Sequence, residues 1–349
     1  MPTPSTLPSL RSWRAFLSTR GLPAEVVALY ASYVTPLVKL NVPVIFDFEH
    51  LSKLLGRTVD FTAKATAAPA HFYRTFSIPK KSGGTRTINA PHASLKECQR
   101  WINDEILARV PLHKAALGYV ENHSILDHAT HHSKFGNALL IVDLERFFPS
   151  ISKRRVVGLF KSFGYNNEVA VTLANLCCLD GCLPQGSPAS PAISNLICRR
   201  LDARVSGIAN RFNLHYSRYA DDLCLSGRNI PDVVLTLVKQ AVTDSDFKIN
   251  EDKTRRIPSN STAKIITGLN VNTGIPRLPK SSRRELQHTM HFIDKFGYLS
   301  HSSKLKIRDT NYISRLRGRL EFWRFVEPAN KEVARYISIV SKLEALHYL

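Results

Sequence analysis

Two adjacent carboxylates, Asp221 and Asp222, end the segment Asn213-Leu-His-Tyr-Ser-Arg-Tyr-Ala-Asp-Asp222. Leu214, Tyr216 and Arg218 alternate with His215, Ser217 and Tyr219, as on the two faces of an extended strand, and a second apolar run, Leu223-Cys-Leu225, follows at once. The pattern predicts a β-hairpin with the two aspartates at its turn. Such a turn holds carboxylates in place yet leaves them open to solvent, which a hard, oxygen-seeking Mg²⁺ needs if it is also to grip phosphates. A polar hairpin tip without chemistry has the same local pattern.

A second acidic position strengthens the chemical reading. Ala138-Leu-Leu-Ile-Val142 is an unbroken apolar run of strand length that ends in Asp143, as expected of a central strand covered on both faces. Laid beside the hairpin, it would bring Asp143 to Asp221 and Asp222. Three carboxylates around two ions roughly 4 Å apart can activate a terminal hydroxyl, stabilise an in-line transition state and neutralise departing pyrophosphate. An aspartate at a strand end can also be no more than a helix N-cap.

Four segments carry a resemblance. Ile141-Val-Asp-Leu-Glu-Arg-Phe-Phe-Pro-Ser-Ile151, Leu183-Pro-Gln-Gly-Ser-Pro-Ala-Ser-Pro191, Tyr219-Ala-Asp-Asp222 and Asn250-Glu-Asp-Lys-Thr254 stand in the order of the polymerase motifs of reverse transcriptases. Ile78 to Arg86, Leu95-Lys96 with Gln99, Gly118-Tyr119 and Asn175-Leu-Cys-Cys178 support it, so the resemblance runs from about Pro43 nearly to the C-terminus. Among those enzymes the chain most resembles the bacterial retron type. His128-Ala-Thr-His-His132 is similar to that group's Asn-Ala-x-x-His element, and Ile266-Thr-Gly-Leu269 to its Val-Thr-Gly element. Two positions depart from the pattern: His128 replaces the usual Asn, and Arg146 stands where related enzymes often carry an acid.

The resemblance implies an α+β right-hand polymerase. Fingers and palm would fill 1–274, with fingers at about 1–90 and 150–205 and palm at about 91–149 and 206–274, and a basic helical thumb would follow over 275–349. It implies metal ligation at Asp143, Leu144, Asp221 and Asp222 with two Mg²⁺ ions. The implied activity is RNA-directed DNA synthesis from deoxynucleoside triphosphates, copying part of a cognate folded noncoding RNA into a short DNA joined to that RNA (msDNA). Such systems usually serve antiphage defence with a separately encoded effector protein. Two alternatives stay open: another bacterial reverse transcriptase, of group II intron or abortive-infection type, and a polymerase-shaped RNA-binding protein without catalysis. A thumb ending at Leu349 implies no ribonuclease H, maturase or endonuclease domain.

The matched positions also have physical roles of their own. Phe148 would lie under the sugar of an incoming nucleotide, where a flat ring leaves no room for a 2′-hydroxyl; ordinary core packing is the alternative, which Phe147 suits better. Gln185 sits in a Pro-Gln-Gly turn where Gly186 permits close backbone approach and the amide can donate and accept hydrogen bonds. Lys80, Lys81 and Arg86 flank Ser82-Gly83-Gly84, a tight basic hairpin suited to a triphosphate, although such hairpins are often only solvated surface. Lys253 is placed to protonate or shield pyrophosphate. His132, Thr267 and Gly268 are candidates for presenting an internal ribose of the RNA, and Arg283, Arg284, Arg315, Arg317 and Arg319 for gripping its phosphates.

These residues need elements to hold them. Strands are expected at 72–79, 84–89, 138–143, 214–219, 222–226 and 264–271, and helices from Lys96 to Leu107 and from Arg154 to Cys177. Short helices cover the first 60 residues or so, and Ser282 is a plausible cap for a C-terminal helix. Composition agrees with a polyanionic partner. With 48 Lys and Arg against 28 Asp and Glu, the net charge is +20, and from Lys253 onward 19 basic residues meet 7 acidic ones. In that stretch Tyr298, Tyr312, Phe322, Trp323 and Phe325 are interleaved as stacking partners. Hydrophobic residues make up 44% of 349, enough for a sizeable core. Six cysteines without zinc or disulfide spacing, no signal-peptide profile and no apolar run of membrane length point to a cytoplasmic protein without a membrane partner.

Overall fold

The computed structural model describes residues 7–79, 83–134 and 136–347. Two strands, β1 (Tyr73–Pro79) and β2 (Thr85–Pro91), pair antiparallel as a separate hairpin. The central sheet has four antiparallel strands in the order β4-β5-β3-β6, formed by β3 (Ala138–Leu144), β4 (His215–Tyr219), β5 (Asp222–Gly227) and β6 (Ile249–Ile257). All seven residues of β3 are buried, because the strand is central and both of its faces are covered.

The two faces of that sheet meet different cores. Leu140, Val142 and Leu144 of β3, with Leu223 and Leu225 of β5 and Tyr216 of β4, join the larger core, built with the N-terminal helices and the helices between 93 and 211. Leu139, Ile141 and Cys224 point the other way and join a second core with the C-terminal helices Lys280–Phe296, Tyr312–Val326 and Lys331–His347. The period-2 alternation of a strand makes this division, and each fully buried Leu, Ile or Val contributes roughly 1.5–3 kcal/mol to it. Asp143 and Asp222 are in phase with Ile141 and Cys224, so they belong to the face that the C-terminal helices cover further along.

Several elements differ from the sequence expectation. The expected helix 154–177 is two helices, Lys153–Phe163 and Asn167–Cys177, broken at Gly164, whose φ of 110° and contact with Pro36, 2.7 Å from where a Cβ would sit, admit only glycine. The expected strand 264–271 is a tiny hairpin, β7 (Ile265–Ile266) and β8 (Leu269–Asn270), turning at Thr267-Gly268, where φ is 44° and 84°. The helix expected to be capped by Ser282 starts earlier, after Pro279. β6 was not expected as a strand, since its charged residues hide the alternation. Among the described residues no helix is long and apolar enough to cross a membrane.

Candidate active site

Asp143 stands directly opposite Asp222 across the β3–β5 pair, and Tyr219 stands opposite Asp222 across β4–β5. Ala220 and Asp221 are thus the two turn residues of the β4–β5 hairpin. Ala220 has φ 57°, a left-handed conformation that costs an L-residue roughly 1–2 kcal/mol. The Asp221 carbonyl accepts a hydrogen bond from the Leu144 N–H at 3.0 Å, which ties the turn to β3. Behind the turn lies Gly118: a Cβ there would stand 2.4 Å from the Ala220 nitrogen, so only glycine lets this segment back the hairpin.

The acids are crowded. Burial lifts the Asp221 carboxyl above the ordinary carboxylate range, and the Asp143 charge adds to the rise. Burial, followed by the charges of Asp221 and Asp143, pushes Asp222 up to about 7. Such shifts mark carboxylates with too little counter-charge around them. The cation nearest to hand is Lys253, whose Nζ donates to Asp143 Oδ1 at 2.9 Å. An irregularity in the β3–β6 pairing places it there: β3 advances two residues from Ile141 to Asp143 while β6 runs five, from Arg255 back to Asn250. The excess on β6 carries Lys253 to the acids, as bulges beside functional sites commonly do.

Among the described residues no three His, Cys, Asp or Glu side chains are arranged as a closed metal site. The donors still suit a divalent cation: they are hard carboxylate oxygens that repel one another, and an ammonium already stands on one of them. Leu144 could offer a metal only its main-chain carbonyl.

A cleft of about 1220 Å³ opens beside these acids, and Arg86, Asp143, Phe148, Gln185, Asp221 and Lys253 all line it. Leu144 and Arg146 line it too, so the departure at Arg146 adds a cation to the wall; Asp222 is not part of the lining. Lys80 lies outside the described residues. Phe148 is buried to 9% exposure with its ring 6.0 Å from that of Tyr119, while Phe147 stacks on Phe247 in the larger core. Tyr119, half exposed on the cleft wall with φ 61°, was quoted in the Gly118-Tyr119 segment but given no role there. Its signals were that segment and its position next to a glycine that the hairpin requires.

The close backbone approach expected at Gly186 is made to β2. A Cβ on Gly186 would meet the Asn89 carbonyl at 2.6 Å, and the Gln185 carbonyl accepts from the Asn89 N–H at 2.8 Å, so the close approach is to β2. Ser187 then donates to Gln99 Oε1 at 2.8 Å, and Gln99 Nε2 donates to the Tyr73 hydroxyl and the Leu176 carbonyl. The Gln-Gly loop is bolted down at both ends.

Residues 78–271 match the family model for reverse transcriptase (RNA-dependent DNA polymerase). The chain is similar to the retron Ec86 reverse transcriptase of Escherichia coli, 34% identical over 310 residues that cover 87% of this chain and 92% of that protein. It is also similar to the retron Mx162 reverse transcriptase of Myxococcus xanthus, 31% identical over 337 residues, covering 85% and 67%. The chain belongs to the retron-type reverse transcriptases. It is an RNA-directed DNA polymerase with the right-hand polymerase fold, in a family that generally uses divalent metal ions.

The two segments of this reverse transcriptase that resemble retron elements adjoin one another. The helix Ile125–His131 lies against β4 and β8, and Thr267 Oγ1 donates to the Ile125 carbonyl at 3.4 Å. His132, expected to touch RNA, is 1% exposed, with Nδ1 2.8 Å from the Ser226 hydroxyl and Nε2 2.8 Å from that of Ser217. Both ring nitrogens are spent on the sheet, so it holds the helix to β4 and β5 and offers RNA no atom. His128 is also buried, its Nδ1 2.8 Å from Ser217, and burial pushes its pKa down to about 3. Thr267 and Gly268, at the β7–β8 turn, do reach the surface.

The five candidate arginines do not form one free cationic face. Arg315 pairs with Asp309, Arg317 with Glu344, and Arg319 with Glu285 at 2.9 Å. On one helix, at about 100° per residue, Arg317 sits about 200° from Arg315 and points to the C-terminal helix instead. Arg284 is exposed, whereas Arg283 is half-buried with its Nε enclosed and without a hydrogen-bond partner.

Proposed function

We propose that this reverse transcriptase copies part of a cognate folded noncoding RNA into a short DNA that remains covalently joined to the RNA through a 2′-hydroxyl. The observation that carries the reading is the convergence of Arg86, Asp143, Phe148, Gln185, Asp221 and Lys253, from five separated segments, on one cleft. Two Mg²⁺ ions, held by Asp143, Asp221, Asp222 and the Leu144 carbonyl, would supply hydroxyl activation and charge neutralisation when bound. Arg86 and Arg146 hold the triphosphate. Phe148 rests under its sugar and excludes a ribose, while Gln185 fixes its position from the Gln-Gly loop. Lys253 leaves Asp143 and meets the departing pyrophosphate as a charge or proton donor.

Residues 1–274 act as fingers and palm and 275–349 as an RNA-binding thumb, whose helices share the second core with Ile266 and Leu269 of the β7–β8 hairpin and with Leu139, Ile141 and Cys224 of the sheet. That hairpin and the Ile125–His131 helix lie on the acid-bearing side of the sheet, where a branch-point ribose would have to be presented. The protein works in the cytoplasm, in antiphage defence, beside a separately encoded effector. Nucleic acid copurified with the wild-type protein tests the central step. After ribonuclease digestion the DNA should keep a ribonucleotide branch that a 2′,5′-specific debranching enzyme removes. DNA with a free 5′ end or a linear 3′-linked primer would contradict this priming while leaving the polymerase assignment in place.

A further inference from the structure

A charged residue lies in the wrong phase of β4. Arg218 is in phase with the core residues Leu214 and Tyr216, and both it and Asp202 are fully buried. Its Nη2 and Nε donate to the two Asp202 oxygens at 2.7 and 2.8 Å. Its Nη1 donates to Asn195 Oδ1 at 3.1 Å and to the Ala220 carbonyl at 2.9 Å. The Tyr216 hydroxyl donates to the same Asp202, and Asn195 Nδ2 donates to the Gly118 carbonyl, each at 2.8 Å. The Arg218 main chain is gripped as well, its N–H donating to Ala115 at 2.7 Å and its carbonyl accepting from Leu117 at 2.8 Å.

Stability alone does not account for this cluster. A buried ion pair seldom outperforms apolar residues of the same volume, because desolvation offsets the attraction. What apolar packing could not supply is the donor to Ala220. That residue is the strained one of the aspartate turn, and its carbonyl is the oxygen of the peptide bond leading into Asp221. A planar fork can hold Asp202, Asn195 and Ala220 in one fixed arrangement, whereas the ammonium of a lysine cannot span all three.

We propose that Arg218, braced by Asp202 and Asn195, is a positioning residue that fixes the strained Ala220–Asp221 peptide and so sets Asp221 beside Asp143. The bracing groups lie on helices Ser190–Ile197 and Arg199–Arg211, which follow the Gln-Gly loop, and Asn195 also holds Gly118, which precedes Tyr119 on the cleft wall. One network therefore fixes the turn and the wall facing the nucleotide. The inference rests on the reading of Asp221 as part of the nucleotidyl-transfer site.

The test compares Arg218→Lys, Asp202→Asn and Asp221→Asn with wild type, each confirmed folded and RNA-binding. Arg218→Lys is expected to lower kcat about tenfold or more while the KM for deoxynucleotide stays within about twofold, since an interaction made chiefly in the transition state is lost. In metal-free protein, amide hydrogen exchange over residues 216–223 should quicken about tenfold as the turn opens locally. Glycine tolerates positive φ without the cost borne by alanine, so Ala220→Gly in the Arg218→Lys background should restore several-fold of the lost kcat, against the Ala220→Gly single variant as baseline. A folded Arg218→Lys enzyme with wild-type kcat and exchange, or a loss that Ala220→Gly does not relieve, overturns the proposal. If neither Arg218→Lys nor Asp202→Asn folds, the network is a folding element and the proposal equally fails. Activity in Asp221→Asn would instead overturn the underlying site assignment.

Discussion

The cleft and the C-terminal helical bundle treat charge in opposite ways. Beside the cleft three acids crowd one end of the sheet, burial and mutual repulsion lift two of them, and one lysine is drawn in as counter-charge. In the bundle Arg315, Arg317 and Arg319 stand exposed, each already paired with a carboxylate. Uncompensated buried charge is unfavourable until a ligand neutralises it, so it marks a site where binding and chemistry are coupled. Compensated surface charge is screened and individually worth little, and it acts on a polyanion only in sum. On the proposed function, chemistry belongs to the cleft and grip to the bundle.

The largest effect should come from the acids. Asp143→Ala or Asp221→Asn should slow extension of a primed RNA about a thousandfold, equivalent to losing about 4 kcal/mol of transition-state stabilisation, with thermal stability and RNA affinity kept. Comparable loss of RNA affinity would erase the division between the two regions.

Next in size are two buried histidines packed on the sheet. His128 and His132 are held neutral by burial. The unfolded chain takes up a proton near 6.5 that the folded His128 refuses until about 3, so stability is complete above pH 6.5 and falls as pH drops below it. By pH 5 this single histidine should cost about 2 kcal/mol. Denaturant titrations at pH 7 and 5 would show it, and His128→Asn should flatten the dependence by about that amount.

Phe148→Ala sharpens the picture inside the cleft. Removing the ring should shift the ratio of deoxynucleotide to ribonucleotide incorporation about tenfold or more toward ribonucleotides, since the 2′-hydroxyl gains room. An unchanged ratio would return Phe148 to packing against Tyr119.

Smallest are the bundle arginines. For every phosphate that charge reversal leaves without its cation, the slope of log affinity on log salt should fall by roughly 0.7–0.9. Arg317, turned toward Glu344, should contribute least of the three.

The parts of this molecule that were legible in the sequence are those whose chemistry fixes their own local structure. The apolar run into Asp143 reads as a buried strand and the alternation before Asp221 as a hairpin arm; both pair as expected. Lys253 was placed by motif, but the irregular β6 that delivers it carries mostly charged residues and showed no strand period. His132 was singled out as a candidate for presenting RNA, and its burial was not legible because its two serine partners, Ser217 and Ser226, arrive from strands about 90 residues away. Arg218 was visible as a charge in phase with Leu214 and Tyr216. Its partners Asp202 and Asn195 come from helices upstream, a pairing that no local pattern announces.

The division of labour is tested most directly by a double comparison on one RNA. Single-turnover extension at saturating primed template and equilibrium RNA binding would be measured for Asp143→Ala and for the combined charge reversal of Arg315 and Arg319. The account predicts that the first variant loses its rate about a thousandfold and keeps its affinity, while the second loses affinity and keeps its rate once RNA is saturating. Both variants losing rate and affinity together, or the arginine variant losing rate at saturation, would contradict it.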